Sequence, residues 1–203
     1  RAYLPGLRTG LNTIAEATAH MMRVENNNTL TISMMPSFAA LWMVPHLESL
    51  EEQHPELEIR VSATARLVDF NDEDIDLAIR YGKGHYPGLH AELLMKEVVT
   101  PVCSPMLIQK YGRPSDVGDL AHHTLLHDGG AIIPGSNLVW ESWLAAAGRP
   151  GLELKRGPQF SDAHLTVQAA TGGRGFMLGR SVLVAEELRN GSLVAPFDLW
   201  LPS

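Results

Sequence analysis

The chain has 203 residues, of which 45% are hydrophobic and 19% are charged, a balance typical of one large globular domain or two small ones and not of a disordered or fibrous chain. It has 16 lysine and arginine residues against 23 acidic residues, and the formal charge of −7 argues against wide contact with nucleic-acid phosphates. A single cysteine, Cys103, excludes an internal disulfide. The sequence has neither an apolar run near the roughly 20 residues of a membrane span nor a secretory signal pattern, so we expect a cytoplasmic protein.

The first segment has the pattern of an amphipathic helix. After Pro5-Gly6, the side chains on one helix face recur at alternating steps of four and three residues. A helix with so narrow an apolar stripe cannot bury it alone, so it either docks on its own domain or pairs with the same helix of a second chain. Asn26 to Asn28 is a candidate hinge after this helix. The candidate dimerisation residues are Leu7, Leu11, Ile14 and Met21.

The rest of the chain alternates strand and helix patterns, which is typical of parallel sheets covered by helices. In the first part we predict strands at 30–34, 57–61 and 75–81, and a helix from Pro36 to Leu50 that is kinked or restarted at Pro45. These elements make a first α/β lobe. A second lobe follows, with predicted strands at 98–103, 159–160, 176–178 and 193–196 and predicted helices at 105–111, 140–147, 163–171 and 181–188.

Polar residues follow several predicted strands, where an open parallel sheet places its ligand crevice. Ser37 follows the first strand, and a hydroxyl at the positive end of a helix is suited to holding a carboxylate. Helix capping and turn formation explain Ser161 and Asp162 equally well, but convergence at one sheet edge predicts a cleft for a polar small molecule. The candidate ligand-binding residues are Ser37, Phe38, Asp69, Tyr81, His127, Ser161 and Asp162.

Enzymatic and metal-binding functions find little support in the sequence. Ser181 lacks the following glycine of a nucleophile elbow. The glycine cluster at 172–175 follows a helix and precedes a strand, which is the reverse of a dinucleotide fingerprint. Residues 122–128 contain three histidines and an aspartate, but no predicted helix aligns them as metal ligands. We therefore expect neither enzymatic activity nor a metal or other cofactor.

Several segments carry, in order, a family resemblance that covers essentially the whole chain. They are 30–33 with 36–38, 42–47, 76–82, 86–89, 101–105, 124–128, 140–143, 157–161, 168–170 and 193–197. The tract from Asp76 to Pro105 is the specific one. In these segments the chain resembles the LysR-type transcriptional regulators, in the subgroup typified by the glycine-cleavage operon activator and the β-lactamase induction regulator.

This resemblance implies a fold like that of type-2 periplasmic binding proteins, with two α/β lobes, crossing strands between them and a small effector in the cleft. It assigns 1–28 to a linker and dimerisation helix, 29–98 to lobe I, and 99–197 to lobe II with its crossing strand. Residues 198–203 would begin the return to lobe I, and we expect the returning crossing strand itself to be missing. The hinge residues implied on the crossing strand are Pro101, Val102 and Cys103.

The resemblance also implies residue roles and partners. Ser37 matches an effector-contacting hydroxyl of the family, Asp69 matches a ligand-contacting acid, and Ser161 with Asp162 fall where a relative presents polar contacts. The implied function is effector-controlled transcription by a homo-oligomer, a dimer or tetramer, that binds DNA only through an N-terminal winged helix-turn-helix not seen in this sequence. We expect an anionic or zwitterionic small-molecule effector and no membrane partner. The alternative is a solute-binding receptor of a transport system.

Overall fold

The computed structural model of the protein describes residues 10–11, 14, 28–70, 72–129, 138–154 and 156–203. Two of the predicted dimerisation residues, Leu7 and Met21, lie outside these ranges. Leu11 and Ile14 are helical and are 64% and 63% exposed, and their pairing with a second chain stays a prediction. Within the described ranges, each helix is too short or too polar to cross a membrane.

Three parallel strands form the first sheet, in the order β2 (Glu58–Ala63), β1 (Thr29–Met34) and β3 (Leu77–Ile79). The apolar alternation of β1 buries Ile32 and Met34 in the core beneath the following helix. All three strands run in the same direction, so their carboxyl ends lie at one edge of the sheet. The β-α-β order predicted for this part of the chain is confirmed.

One helical segment covers this sheet and changes its winding along the way. It begins as α1 (Pro36–Phe38), widens into a π turn (Ala39–Met43) and continues as α2 (Val44–Gln53). Pro45 cannot donate an amide hydrogen bond to the preceding turn, and the wider π turn before it accommodates the proline ring. The helix is therefore interrupted next to the proline at which the sequence predicts a kink or restart.

The remaining elements form two further sheets and the helices around them. The strands are β4 (Val98–Val102), β5 (Leu125–Asp128), β6 (Arg156–Phe160), β7 (Met177–Arg180) and β8 (Leu201–Pro202). The helices are α3 (Pro105–Tyr111), α4 (Trp140–Ala146), α5 (Ala163–Thr171) and α6 (Ala185–Arg189), with a 3-10 helix at Val117–His122. The bounds of α3 and α5 are those predicted from the sequence.

β4 is the centre of an antiparallel sheet, with β7 on one side and β8 on the other. In β8, Leu201 pairs with Val99 and Pro202 with Val98. This pairing corrects the expectation that a returning strand is missing, because Leu201 and Pro202 form a strand beside β4.

Two further predictions near the C-terminal end are wrong in extent. The strand predicted at 193–196 is reduced to a single bridge between Val194 and Cys103. The helix predicted at 181–188 shortens to α6, because the amides of Leu183 and Val184 both donate to the carbonyl of Arg180 in a turn. In the predicted helix, these turn hydrogen bonds replace the first helical turn.

β5 and β6 are parallel, and a glycine fits the close approach between them. A Cβ atom at Gly157 would lie 2.1 Å from the carbonyl oxygen of Leu125, so a larger residue would force the strands apart. The core beside this sheet contains Trp140 and Trp143, which are 2% and 0% exposed. Their predicted core position is confirmed.

The helix that follows β1 also touches the second half of the chain. Leu41 of the π turn packs against a core cluster that includes Val167 and Ala170 of α5. Cα atoms of α1 lie within 8 Å of Cα atoms of α5. The start of the first helix therefore lies beside α5, and the lobe boundaries at 28, 98 and 197 stay predictions.

Candidate functional site

Arg80 connects the carboxyl ends of the first sheet. Its Nη2 donates to the Ser33 hydroxyl at 2.7 Å and to the Arg66 carbonyl at 3.0 Å, and its Nη1 donates to the Ile79 carbonyl at 3.0 Å. Burial lowers the pKa of Arg80 from its ordinary value. Its Nε is buried and has no hydrogen-bond partner among the described residues. The guanidinium thereby holds β1, β3 and the loop after β2 in fixed relative positions.

Ser37 lies at this edge, in the first turn of the helix. It is the second residue of α1 and is 3% exposed, while the N-cap position belongs to Met35, which makes no side-chain cap. The first amide to bond back is that of Ala39, which donates to the Met35 carbonyl. The amides of Ser37 and Phe38 precede it and have no intrahelical acceptor within the described ranges, as is usual for the first amides of a helix.

Phe38 takes part in a stack of rings along the helix. Its ring stacks on Trp42 with centroids 4.9 Å apart, and Trp42 stacks on His46 at 4.5 Å. Phe38 is half-buried and packs against the core of the first sheet. Its contact with a ligand stays a prediction.

Asp69 lies in an exposed loop whose shape depends on Glu73. The Asp69 amide donates to Glu73 Oε1 at 2.8 Å, and the Asp69 carbonyl accepts from the Glu73 amide at 2.9 Å. Arg66 donates from both Nη groups to the same carboxylate, with Nη1 2.8 Å from Oε1. These bonds fix the backbone of the loop at the sheet edge.

The pH dependence of this loop follows from the carboxyl group of Glu73. Hydrogen bonds from Arg66 and then from the Asp69 amide lower the pKa of Glu73 from 4.5 to about 2. Because the folded pKa is the lower one, the bonds stabilise the loop above pH 4.5, and their contribution is lost as the pH falls through about 2. We expect the ¹³Cδ resonance of the Glu73 carboxyl group to titrate with a midpoint near 2. A midpoint near 4.5 would contradict the bonds, and Arg66→Gln should raise the midpoint toward 4.5.

Tyr81 lies two residues after β3 and contacts a buried arginine of the antiparallel sheet centred on β4. The Arg180 Cζ lies 4.1 Å from the centroid of the Tyr81 ring, a cation–π contact. Arg180 ends β7, and its Nε donates to Glu97 Oε2 at 2.8 Å; the two side chains are only 9% and 8% exposed. Tyr81, two residues after β3, is thereby joined to the sheet formed by β4, β7 and β8.

A cavity of about 110 Å³ opens where β5, β6 and β7 end. His127 and Asp128 are the last residues of β5, and Arg180 is the last residue of β7. β6 is parallel to β5, and the residue before β7, Phe176, forms a parallel bridge with Leu125 of β5. The cavity therefore combines a guanidinium, an imidazole and a carboxylate at these strand ends with the carboxylate of Glu141 from α4. The polar lining residues are His127, Asp128, Glu141, Gln159, Thr166 and Arg180, and the apolar ones are Leu126, Leu138, Val139, Trp140 and Leu178.

The predicted site residues fall into two groups. His127 lines the cavity, and Tyr81 contacts the arginine in its wall. The predicted residues of the first sheet edge and of the start of α5 do not line the cavity. They are Ser37, Phe38, Asp69, Ser161 and Asp162.

The start of α5 is occupied by a helix cap. Asp162 is the N-cap residue: its Oδ1 accepts from the His164 amide at 3.2 Å and lies 2.7 Å from His164 Nδ1. Ser161 beside it is exposed. The sequence left both helix capping and ligand contact open for Asp162. Its hydrogen bonds show that it caps α5.

Removal of this cap should affect stability. We expect Asp162→Ala to lower the free energy of unfolding by about 1 kcal/mol, because the His164 amide in the first turn of α5 loses its acceptor. Asp162→Asn keeps an acceptor oxygen and should retain most of the stability. Urea unfolding followed by circular dichroism measures both variants. Unchanged stability of Asp162→Ala would show that the cap contributes nothing.

The predicted hinge residues lie at the end of β4 and directly after it. Pro101 and Val102 pair with β7, and Cys103 forms the bridge to Val194. Val102 and Cys103 are fully buried. Burial raises the pKa of the Cys103 thiol to about 12, so the thiol is protonated and unreactive near neutral pH. Motion about these residues stays a prediction.

Sequence reasoning missed the most unusual residue of the cavity, Arg180. The signal available was a charged residue two positions after the apolar run from Phe176 to Leu178, separated from it only by Gly179. The described part of the chain holds no cluster of three or more histidine, cysteine, aspartate or glutamate side chains able to bind a metal ion.

Comparison with known proteins gives a consistent result. The family model described as LysR substrate binding domain matches residues 23–203. The chain is 35% identical over 198 residues to the glycine cleavage system transcriptional activator of Escherichia coli K12, which covers 98% of this chain and 63% of that protein. It is 33% identical over 177 residues to the transcriptional activator AmpR of Citrobacter koseri, with 86% and 58% covered. The chain thus spans less than two thirds of the length of these relatives.

The solved structures extend the likeness to the fold. The effector domain of AmpR from Pseudomonas aeruginosa superimposes with a TM-score of 0.69 at 29% identity, covering 86% of this chain and 81% of that chain. CrgA of Neisseria meningitidis, at 20% identity, has the same TM-score over 98% of this chain. The predicted fold, two α/β lobes of the type-2 periplasmic-binding-protein kind, is confirmed by these likenesses.

Proposed function

Because the chain belongs to the LysR substrate-binding domain family, we propose that it senses a small-molecule effector for a transcriptional regulator. DNA is bound by a separate N-terminal winged helix-turn-helix of the whole protein, which acts in the cytoplasm as a homo-oligomer. The relatives named above are transcriptional regulators, which decides against the transport receptor left open by the sequence. The effector is bound and released without chemical change, so the proposal includes no enzymatic step.

The observation that carries this proposal is the cavity at the ends of β5, β6 and β7. Ligand sites of open α/β sheets lie beyond the carboxyl ends of the strands, and this cavity has a few polar groups among apolar walls. Arg180 in its wall also contacts Tyr81 of the first half. A ligand bound there is therefore placed to influence how the two halves sit against each other.

The mechanism is a shift between lobe arrangements. A ligand changes a conformational equilibrium only through its different affinities for the two states. We propose that His127 holds the effector in lobe II, and that Ser37 and the free amides of the α1 start meet it from lobe I when the lobes close. Movement occurs about Pro101 to Cys103. Asp69, Phe38, Ser161 and Asp162 border the closed cleft in this proposal.

Native mass spectrometry of the 203-residue chain with a panel of anionic and zwitterionic metabolites tests the proposal. We expect retention of one compound per subunit, and the same spectra give the number of subunits. His127→Ala should weaken retention about tenfold, because it removes a polar side chain that lines the cavity. His90→Ala is the matched control, since that imidazole is 84% exposed and away from the cavity. No retained compound, or equal loss in both variants, would contradict the proposal.

A further inference from the structure

We propose that the effector is a small zwitterion whose carboxylate is bound by Arg180. This inference rests on the proposed sensing function and names the class of compound that the cavity accepts. Three features of the cavity carry it, namely the hydrogen bonds left open on Arg180, the charges around it and the size of the space.

Arg180 is a buried cation that has hydrogen-bond donors without an acceptor among the described residues. A guanidinium has five N–H donors, and only the Nε donor of Arg180 has an acceptor among the described residues, the carboxylate of Glu97. The Tyr81 ring covers one face of the guanidinium at 4.1 Å, which leaves its end for hydrogen bonding. The two Nη groups at that end form a fork that matches the two oxygens of a carboxylate.

The surrounding charges favour a zwitterion over a simple anion. Glu97 already neutralises Arg180, so a carboxylate bound to the free end brings an excess negative charge next to two side chains that are only 9% and 8% exposed. Asp128 and Glu141 also line the cavity and would repel a purely anionic compound. An ammonium group on the same ligand offsets both effects, because it is attracted to these carboxylates.

The volume limits the ligand to a few heavy atoms. A cavity of about 150 Å³ is known to hold a benzene molecule, and this cavity measures about 110 Å³. An α-amino acid with a short side chain satisfies the charge pattern and the size together. Glu97 acts as a positioning residue in this arrangement, because it orients the guanidinium without lining the cavity.

Titration calorimetry with matched compounds tests the ligand class. The probes are glycine, alanine and serine in both enantiomers, with glycinamide as the compound lacking a carboxylate and acetate as the compound lacking an ammonium. We expect at least one amino acid to bind, and glycinamide and acetate to bind at least about tenfold more weakly than it does, since each loses one charge-assisted contact. Binding of none of the amino acids would overturn the assignment.

A pair of variants tests the role of Arg180. Glu97→Gln keeps the guanidinium and should retain the amino acid affinity of the original chain or improve it. Arg180→Gln combined with Glu97→Gln leaves no unpaired charge, and should bind the amino acid about 10- to 100-fold more weakly than Glu97→Gln. Its thermal midpoint should be no lower than that of Glu97→Gln, because Glu97→Gln alone leaves the buried guanidinium unpaired. Equal affinities of the two variants would overturn the role of Arg180.

The outcomes separate this inference from the proposed function. If the mass-spectrometric panel, extended to neutral and cationic compounds, finds a ligand without a carboxylate that His127→Ala releases, the sensing function stands and the zwitterion assignment falls. If no compound of any charge is retained, the sensing function itself is contradicted.

Discussion

Replacement of Trp143 by alanine should lower the free energy of unfolding by about 3–5 kcal/mol, the range for deleting a large buried aromatic side chain. Trp143 is fully buried, and its indole N–H donates to the Val99 carbonyl of the crossing strand at 3.3 Å. Its ring also lies against Trp140 and Phe197, with centroids 6.4 Å and 6.5 Å away. The substitution therefore removes contacts between α4, β4 and the C-terminal segment at once.

Trp143→Phe is the control for this prediction. It keeps an aromatic ring in the core and loses the indole hydrogen bond and part of the volume, so we expect about half of the loss or less. Urea unfolding followed by far-ultraviolet circular dichroism measures both variants. A loss below 1 kcal/mol for Trp143→Ala would mean that the core closes around the deleted ring.

Replacement of Arg180 by methionine should cost a similar amount, about 3–5 kcal/mol, for an electrostatic reason. The substitution leaves the carboxylate of Glu97 buried, with its cation removed, and an unpaired buried charge is strongly destabilising. Tyr81 loses its cation–π contact in the same variant. The effect is measured as the free energy of unfolding in urea at pH 7.

The double variant Arg180→Met with Glu97→Gln isolates the unpaired charge. We expect it to recover most of the lost stability, because replacing both partners of a buried pair by neutral side chains is often close to neutral. If single and double variants are equally destabilised, the loss comes from packing of the arginine side chain and not from the charge of Glu97.

The elements that the sequence predicts most closely are those fixed by local chemistry. The bounds of α3 agree because Ser104 accepts from the Leu107 amide at its start, and because Gly112, with a φ of 86°, follows its end. α5 agrees for the same kind of reason, with Asp162 as its cap. Apolar alternation was sufficient to place β1, since that strand is buried in a sheet interior.

The site was less predictable because its main contacts are distant in the sequence. His127 could be chosen from its place at the end of a strand. Arg180 also ends a strand, but its pairing with Glu97 could not be predicted, since the two residues are 83 positions apart and no local pattern joins them. Asp162 had two interpretations that only its hydrogen bonds to His164 distinguish. The meeting of Tyr81 with Arg180 likewise depends on how the sheets are placed in space.

The π turn at Ala39–Met43 determines the angle, measured around the helix axis, between the side chains of α1 and those of α2. Each residue of an α-helix advances the direction of its side chain by about 100°, and a π turn holds one residue more than a regular turn. Leu47 and Leu50 of α2 pack on the first sheet, and these contacts fix the rotation of α2 about its axis. Deleting one residue of the turn, such as the exposed Ala40, would leave α2 in place and turn Ser37 by about 100° around the helix axis. The number of residues in this turn, as well as their identity, therefore determines which way the Ser37 hydroxyl points.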